Sequence, residues 1–307
     1  MILLGGIPSE IPLAMVNKEL DKLSVPHIMF NQRDFANTEL SFEISNGIVR
    51  GMIQLKDREY RLEDIRGVYL RLMDDQRLPE LHEELPDSNK RRYCRALHDA
   101  LIRWCEVTPA RVINRMAAMS SNSSKPYQAQ RIREHGFPIP ETLITNDQDL
   151  VRDFQSKHKR IIYKSISGVR SIVQVLENGD LDRLDRIRWC PVQFQQFIEG
   201  TNLRVHVIGT SVFSTIVNSD VTDYRYAHQQ GSDAELKAVS LPEEFEQRCV
   251  ELSRSLGLEF SGIDFKITPT NDVFCFEVNP SPAFSYYEAN TGQPIARTVA
   301  RYLAGLV

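Results

Sequence analysis

Two extended, largely apolar segments near the carboxyl end, Phe260–Ile267 (FSGIDFKI) and Val273–Asn279 (VFCFEVN), are separated by only five residues, Thr268–Asp272 (TPTND). Segments so spaced, with a Pro/Asn/Asp turn between them, predict an antiparallel hairpin. On a regular strand alternate side chains take opposite faces, which puts Phe274, Phe276 and Val278 on one side and Cys275, Glu277 and Asn279 on the other. Asp264 then lies across from Glu277. A carboxylate pair with a neighbouring amide oxygen is a hard, oxygen-only donor set of the kind that holds Mg²⁺. A polar, solvent-facing side of an edge strand is the competing reading.

The remainder of the chain constrains what surrounds that hairpin. From residue 1 to about 115, apolar runs (ILLGG, HIMFN, GVYLRL, RVIN) alternate with amphipathic stretches from Leu13 to Leu23 and from about Ser88 to Cys105. That alternation predicts a parallel sheet flanked by helices. Short alternating segments between about Leu40 and Leu62 read as an inserted hairpin. Ser120–Ser124 precedes Lys125-Pro126, where the serines suit N-caps and the proline a first helical turn; this loop is a plausible domain boundary. A small α+β unit runs from there to about Cys190. The last third carries strands, a helix from Pro242 to Leu258 and a closing helix from about Pro294.

A chain of 307 residues, 42% hydrophobic, has room for two or three compact units. The net charge of -4 and pI near 6.0 argue against a dedicated nucleic-acid binder. No charged n-region precedes the apolar start, and no apolar run approaches the roughly 20 residues that span a bilayer, so the expectation is a cytoplasmic protein with no membrane partner. Five cysteines occur without a CxxC pair, which indicates neither a zinc site nor a disulfide framework.

Other residues stand out by position. Lys164 shares a strand face with Ile162 and Ile166, so its ammonium calls for an anion such as phosphate, or else snorkels at a strand edge. Asn202, Arg204 and His206 line one face of NLRVHVIG, and a guanidinium there can grip phosphate through two parallel hydrogen bonds, with a structural salt bridge as the alternative. Arg225 adds a cation in a polar loop. Arg71 falls at the carboxyl end of a parallel strand, the usual ligand edge of such a sheet, where an ion pair with Asp74 or Asp75 competes with substrate binding. Lys90, Arg91, Arg92, Arg95 and Arg103 make the helix from Ser88 basic, either as solvated charge or as a dock for an acidic peptide.

The succession SSKPYQAQRIREHGFPIPETLITND, RIIYKSI, CPVQFQQFIEGTNLRVHVIG, DYRYAHQQG and LEFSGIDFKITPTNDVFCFEVNPSPAF resembles the ATP-grasp superfamily from about Val112 onward. It is most similar to the branch of the ribosomal-protein glutamate ligase and the macrocyclases of microviridin-type graspetides. The resemblance implies an α/β (α+β) ATP-grasp fold: an N-terminal Rossmann-like pre-ATP-grasp substrate domain over 1–115, a central lid domain over 116–190 and a C-terminal domain with the Mg²⁺ site over 191–307. It implies Lys125 and Lys164 on ATP phosphates, an adenine hinge at Gln196, Phe197 and Ile198, and ribose contact by Glu199 or Asn202. Catalytic roles fall to Lys164, Arg204 and Arg225, two Mg²⁺ ions (with Mn²⁺ as substitute) to Asp264, Glu277 and Asn279, and a substrate carboxylate to Arg71. The implied activity is ATP-dependent joining of a carboxylate to an amine, or to a hydroxyl, through an acyl phosphate. Its substrate would be a peptide or amino acid, including a precursor peptide with a leader, and the protein would be a homo-oligomer. Asn202, where the family often has an acid, and a loop after Lys164 with one glycine motivate the alternative of a catalytically silent ATP-binding regulator or protein-interaction module.

Overall fold

The structure is a computed structural model that describes residues 1–166, 173–218 and 235–307. Its amino-terminal part opens with β1 (Ile2–Gly6), α1 (Ile11–Lys22) and β2 (His27–Asn31). A three-stranded antiparallel sheet of β3 (Thr38–Ser45), β4 (Ile48–Leu55) and β5 (Arg58–Arg61) follows where the sequence predicts a hairpin. Then come β6 (Gly67–Arg71), α2 (Asn89–Val107) and β7 (Arg111–Ile113). Strands β2, β1, β6 and β7 form, in that order, the expected sheet, with every pairing parallel. Ser88 caps α2 by accepting a hydrogen bond from Arg91 N at 3.2 Å, the geometry that satisfies one of the orphan donors of a first turn.

Next are α3 (Met116–Met119), α4 (Lys125–Glu134), β8 (Thr142–Thr145), α5 (Gln148–His158), β9 (Ile161–Lys164), β10 (Gln174–Val175), α6 (Asn178–Leu181) and β11 (Val192–Gln196). Strands β10, β9, β11 and β8 pair antiparallel in that order. The serine run does not cap α4 through a side chain. Instead Ser120 and Ser121 donate their hydroxyls back to the carbonyls of Ala117 and Ala118. Serine hydroxyls compete for nearby carbonyls in this way, and the segment winds into helical turns instead of standing off as a loop.

The carboxyl-terminal part comprises β12 (Thr201–Ile208), β13 (Ser211–Asn218), β14 (Glu235–Val239), α7 (Glu243–Ser255), β15 (Phe260–Ile267), β16 (Val273–Asn279), α8 (Ser285–Thr291) and α9 (Ile295–Ala304). Its antiparallel sheet runs β14-β13-β12-β15-β16. One face presents Leu203, Val205, Val207, Ile263, Phe265, Cys275 and Val278 to α7 and α4. The opposite face is apolar at one end, where Ile208 and Phe260 pack with α9 and the first parallel sheet, and polar at the other, where Arg204 and Asp264 sit. In α9 the buried residues Ile295, Ala296, Val299, Ala300 and Leu303 recur at helical spacing and seal this junction. Among the described residues no helix is long and apolar enough to cross a membrane.

Asn114, just past β7, stitches the two ends of the chain together with one side chain. Its Nδ2 donates to the carbonyls of Phe260 and Pro280, each at 2.6 Å, while its Oδ1 accepts from the backbone of Glu259 at 2.8 Å and of Phe260 at 3.0 Å. An amide carries two donors and one double acceptor, and here three contacts link the end of β7 to the start of the strand that carries Asp264 and the fourth links it to Pro280, just past β16. Asn114→Ala should therefore destabilise the protein by on the order of 3 kcal/mol in urea unfolding; a change below about 0.5 kcal/mol, the range of a neutral surface substitution, would contradict this role for the side chain.

Candidate active site

The polar end of the carboxyl-terminal sheet is built by register. Arg204 on β12 stands opposite Asp264 on β15, and Asp264 stands opposite Glu277 on β16. A cation and two carboxylates are thus aligned across three neighbouring strands on one face. Arg204 Nη1 lies 2.7 Å from Asp264 Oδ1, with the arginine only 5% exposed. Gly262 makes this fit: a Cβ at that position would come within 2.2 Å of Arg204 Nη2. His206, with no exposed surface, places Nε2 3.5 Å from Arg204 Nε. Burial, and then the charge of Arg204, hold its pKa well below the usual histidine value, so the ring is neutral and can accept from the guanidinium. Tyr287 meets the imidazole edge-on at 4.8 Å, and the Arg204 Cζ lies 5.7 Å from the Tyr287 ring centre.

The alternation expected on β16 does not hold along its whole length. The pairing shifts between Asp264 and Phe265, so that Phe265 faces Cys275 and Phe276 is the extra residue of a β-bulge. Cys275 consequently joins Val278 in the hydrophobic core instead of sharing the polar face with Glu277, and burial pushes its thiol pKa well up. The carboxylates keep the expected register because they lie on the Pro280 side of the bulge. Lys125, in the first turn of α4, brings Nζ to 3.9 Å from Glu277 Oε2. Asn279 Oδ1 accepts from Ser281 N at 3.0 Å, which fixes its amide beside the same carboxylate strand.

The central sheet contributes the other cation. Lys164 on β9 is 9% exposed and donates to Gln195 Oε1 at 3.4 Å; Gln195 in turn donates to Thr142 Oγ1 at 3.0 Å. Gln195 escaped notice in the sequence, although VQFQQ alternates its glutamines with apolar residues and so carried the signal. After Gln196 the chain passes Phe197, buried Ile198, Glu199 and Gly200 into β12, where Asn202 lies opposite Lys266 on the same face as Arg204. Gly200 is obligatory: its φ is +147° and a Cβ would sit 2.1 Å from the Ile267 carbonyl oxygen. Phe197 is flanked by Arg160, 3.7 Å from its ring centre, and Lys266, at 5.6 Å. Burial, and then Arg160, lower the pKa of Lys266. Arg225 lies outside the described residues, as does most of the loop that follows Lys164.

Arg71, at the carboxyl end of β6, donates through Nε to Glu10 Oε1 at 2.7 Å and through Nη1 to Ser281 Oγ at 3.2 Å and the Pro282 carbonyl at 3.3 Å. Its acidic partner is thus Glu10, and not Asp74 or Asp75. Glu10 Oε2 also accepts from Leu13 N at 2.8 Å, so one carboxylate caps α1 and orients Arg71. The pair borders a cavity of about 470 Å³ that also touches Ser9, Leu72, Met73 and Ser281. In the basic helix, Arg91 binds the carbonyls of Leu81 and Glu84, Arg95 pairs with Asp75 and Lys90 with Glu84. Lys90, Arg91 and Arg95 are thus engaged locally, and are neither simply solvated nor free to dock an acidic peptide.

Residues 123–303 match the family model described as RimK-like ATP-grasp domain. Human beta-citrylglutamate synthase B is 24% identical over 219 residues, 67% of this chain and 56% of that protein, so the chain spans a little over half the length of that relative. Among solved structures, the Chryseobacterium gregarium RiPP-associated ATP-grasp ligase in complex with ADP and a leader and core peptide superposes with a TM-score of 0.85 at 23% identity, covering 100% of this chain and 97% of that one. The ATP-grasp ligase PsnB, complexed with a phosphomimetic variant of its minimal precursor, Mg and ADP, gives 0.77 at 25% identity, covering 99% and 98%.

Because the Arg204 guanidinium occupies the space above Gly262, Gly262→Ala should expel it from its pairing with Asp264. The expected cost is about 1–3 kcal/mol of folding stability, as for other insertions into packed sites. Urea unfolding measures it, and a variant as stable as the parent would show that the guanidinium moves aside freely.

Proposed function

The chain belongs to the RimK-like ATP-grasp family, and from that premise we propose that it is an ADP-forming ligase that joins a carboxylate to an amine or a hydroxyl on a peptide substrate. The observation that carries the reading is the row Arg204, Asp264, Glu277 on one sheet face, with Lys125 against its outer carboxylate. Two opposed carboxylates and the amide oxygen of Asn279 suit Mg²⁺, which favours oxygen donors and keeps positions for phosphate oxygens. Asp264, Glu277 and Asn279 would hold the ions. Magnesium nucleotide supplies, when bound, the γ-phosphoryl group that converts a substrate carboxylate into an acyl phosphate.

The chain's own side chains do the remaining work by charge and position. Lys125, Lys164 and Arg204 offset the negative charge that builds on transferring oxygens, and the burial of Lys164 and Arg204 strengthens that effect relative to water. The backbone N–H groups of Gln196 and Phe197 donate to the carbonyls of Glu141 and Arg160, so in this reading adenine pairs with the remaining backbone groups of the Gln196, Phe197 and Ile198 segment, with Glu199 or Asn202 near the ribose. Arg225 completes the cationic set in this reading. Arg71, oriented by Glu10 in the cavity lining, is fitted to hold an acidic side chain in place while the nucleophile approaches. The peptide class is supported by the leader and core peptide bound to the Chryseobacterium gregarium ligase and by the precursor bound to PsnB; a genetically encoded precursor with acidic and Lys, Ser or Thr core residues is the proposed substrate.

Lys164→Ala and Glu277→Ala should each lower peptide-dependent ADP release by about 10²–10³-fold, the scale of losing one charge-stabilising group. Stripping divalent ions with EDTA should stop turnover, and Mg²⁺ or Mn²⁺ should restore it. Mass spectrometry of the peptide should report the loss of one water per bond formed. Turnover unaffected by both substitutions would remove the ligase assignment, while ATP binding without product across acidic peptides would favour a silent regulator.

A further inference from the structure

Strand β16 lies at the edge of its sheet, with β15 on one side. An edge strand leaves backbone donors and acceptors unpaired on its outer side. Here the outer side is closed by two contacts from the α4 region: Cys275 N donates to the Pro138 carbonyl at 2.8 Å, and the side-chain amide of Gln128 engages Val278 twice. Gln128 Nε2 donates to the Val278 carbonyl at 2.8 Å, and Gln128 Oε1 accepts from Val278 N at 2.9 Å. The amide behaves as one residue of a neighbouring strand, and with 2% exposure it does so away from water.

Where that grip falls is what gives it meaning. The Val278 amide belongs to the peptide unit that joins Glu277 to Val278, and the Val278 carbonyl to the unit that joins Val278 to Asn279. One glutamine therefore fixes both peptide units between two of the candidate metal ligands. On α4, Gln128 is three residues beyond Lys125, so the two share a helix face, and the Lys125 ammonium lies 3.9 Å from Glu277. We infer that Gln128 is a positioning residue that sets the register of α4 against β16 and thereby holds Lys125 and Glu277 at the spacing the nucleotide phosphates require. This rests on the ligase reading above, since it takes Lys125 as a phosphate ligand.

A double-mutant cycle separates positioning from plain structural support. In the whole protein, Gln128→Leu removes both hydrogen bonds at nearly constant volume, and calorimetry with ATP and Mg²⁺ reads affinity at a temperature where circular dichroism finds every variant folded. Gln128→Leu in the parent should weaken binding about tenfold, given two lost bonds. In a Lys125→Ala background the same substitution should weaken it only about threefold, because the share of its effect that passes through Lys125 is already lost while the share that passes through Glu277 remains. Should Gln128→Leu not fold, Gln128→Glu serves in the same cycle, since it keeps an acceptor for Val278 N but sets an oxygen against the Val278 carbonyl. Equal losses in both backgrounds would overturn the positioning role and leave the ligase assignment standing. Undiminished ATP binding by Lys125→Ala alone would instead overturn the phosphate role of Lys125 and, with it, this inference.

Discussion

Two carboxylates facing each other across neighbouring strands repel, and the carboxyl-terminal sheet tolerates Asp264 opposite Glu277 only because positive charge stands on either side. Arg204 approaches from β12 and Lys125 from α4. Most of what surrounds the site can be understood as support for that alternation of charge. Gly262 vacates the volume the guanidinium needs, neutral His206 accepts from it without adding a second positive charge, and the Pro280 end of β16 is tied to the parallel sheet through Asn114. Truncating one partner of such a pair would leave its neighbour buried and unmatched, which costs more than the pair itself contributes.

The carboxylate register was legible in the amino-acid sequence because a five-residue turn and period-two alternation leave few ways to pair Phe260–Ile267 with Val273–Asn279. The bulge at Phe276 was not. Nothing in VFCFEVN distinguishes a regular strand from one with an extra residue, since apolar side chains suit both faces when one face packs on a core and the other borders a partly buried site. Cys275 was accordingly placed on the wrong side, whereas Glu277 was not, because the irregularity falls between them. The parallel sheet was readable from its recurring apolar runs, and α2 from the amphipathic stretch that begins at about Ser88.

Other features depend on tertiary neighbours and left little trace. Gln128 looks like any polar residue on a helix of low amphipathicity, and its importance appears only when β16 is seen to end the sheet. Glu10 as the partner of Arg71 joins residues 61 positions apart, beyond the reach of local pattern. The serine run reads as a helix-capping loop, but its hydroxyls turn back to the preceding carbonyls, a choice that depends on Met116–Met119 already being helical. By contrast, Lys164 stood out on its strand face as a polar exception in apolar surroundings, whereas Gln195, its partner in VQFQQ, was passed over and their meeting required the sheet order.

The occupied outer edge of β16 also bears on strand addition. Many peptide-binding proteins capture an extended ligand by letting it join a sheet as one more strand, with main-chain hydrogen bonds supplying most of the grip. Pro138 and Gln128 already occupy the backbone groups of Cys275 and Val278 that such a guest would need. An extended chain therefore cannot add to the sheet along this stretch of β16, and the hairpin that carries Asp264 and Glu277 is screened there from edge-to-edge pairing with another molecule.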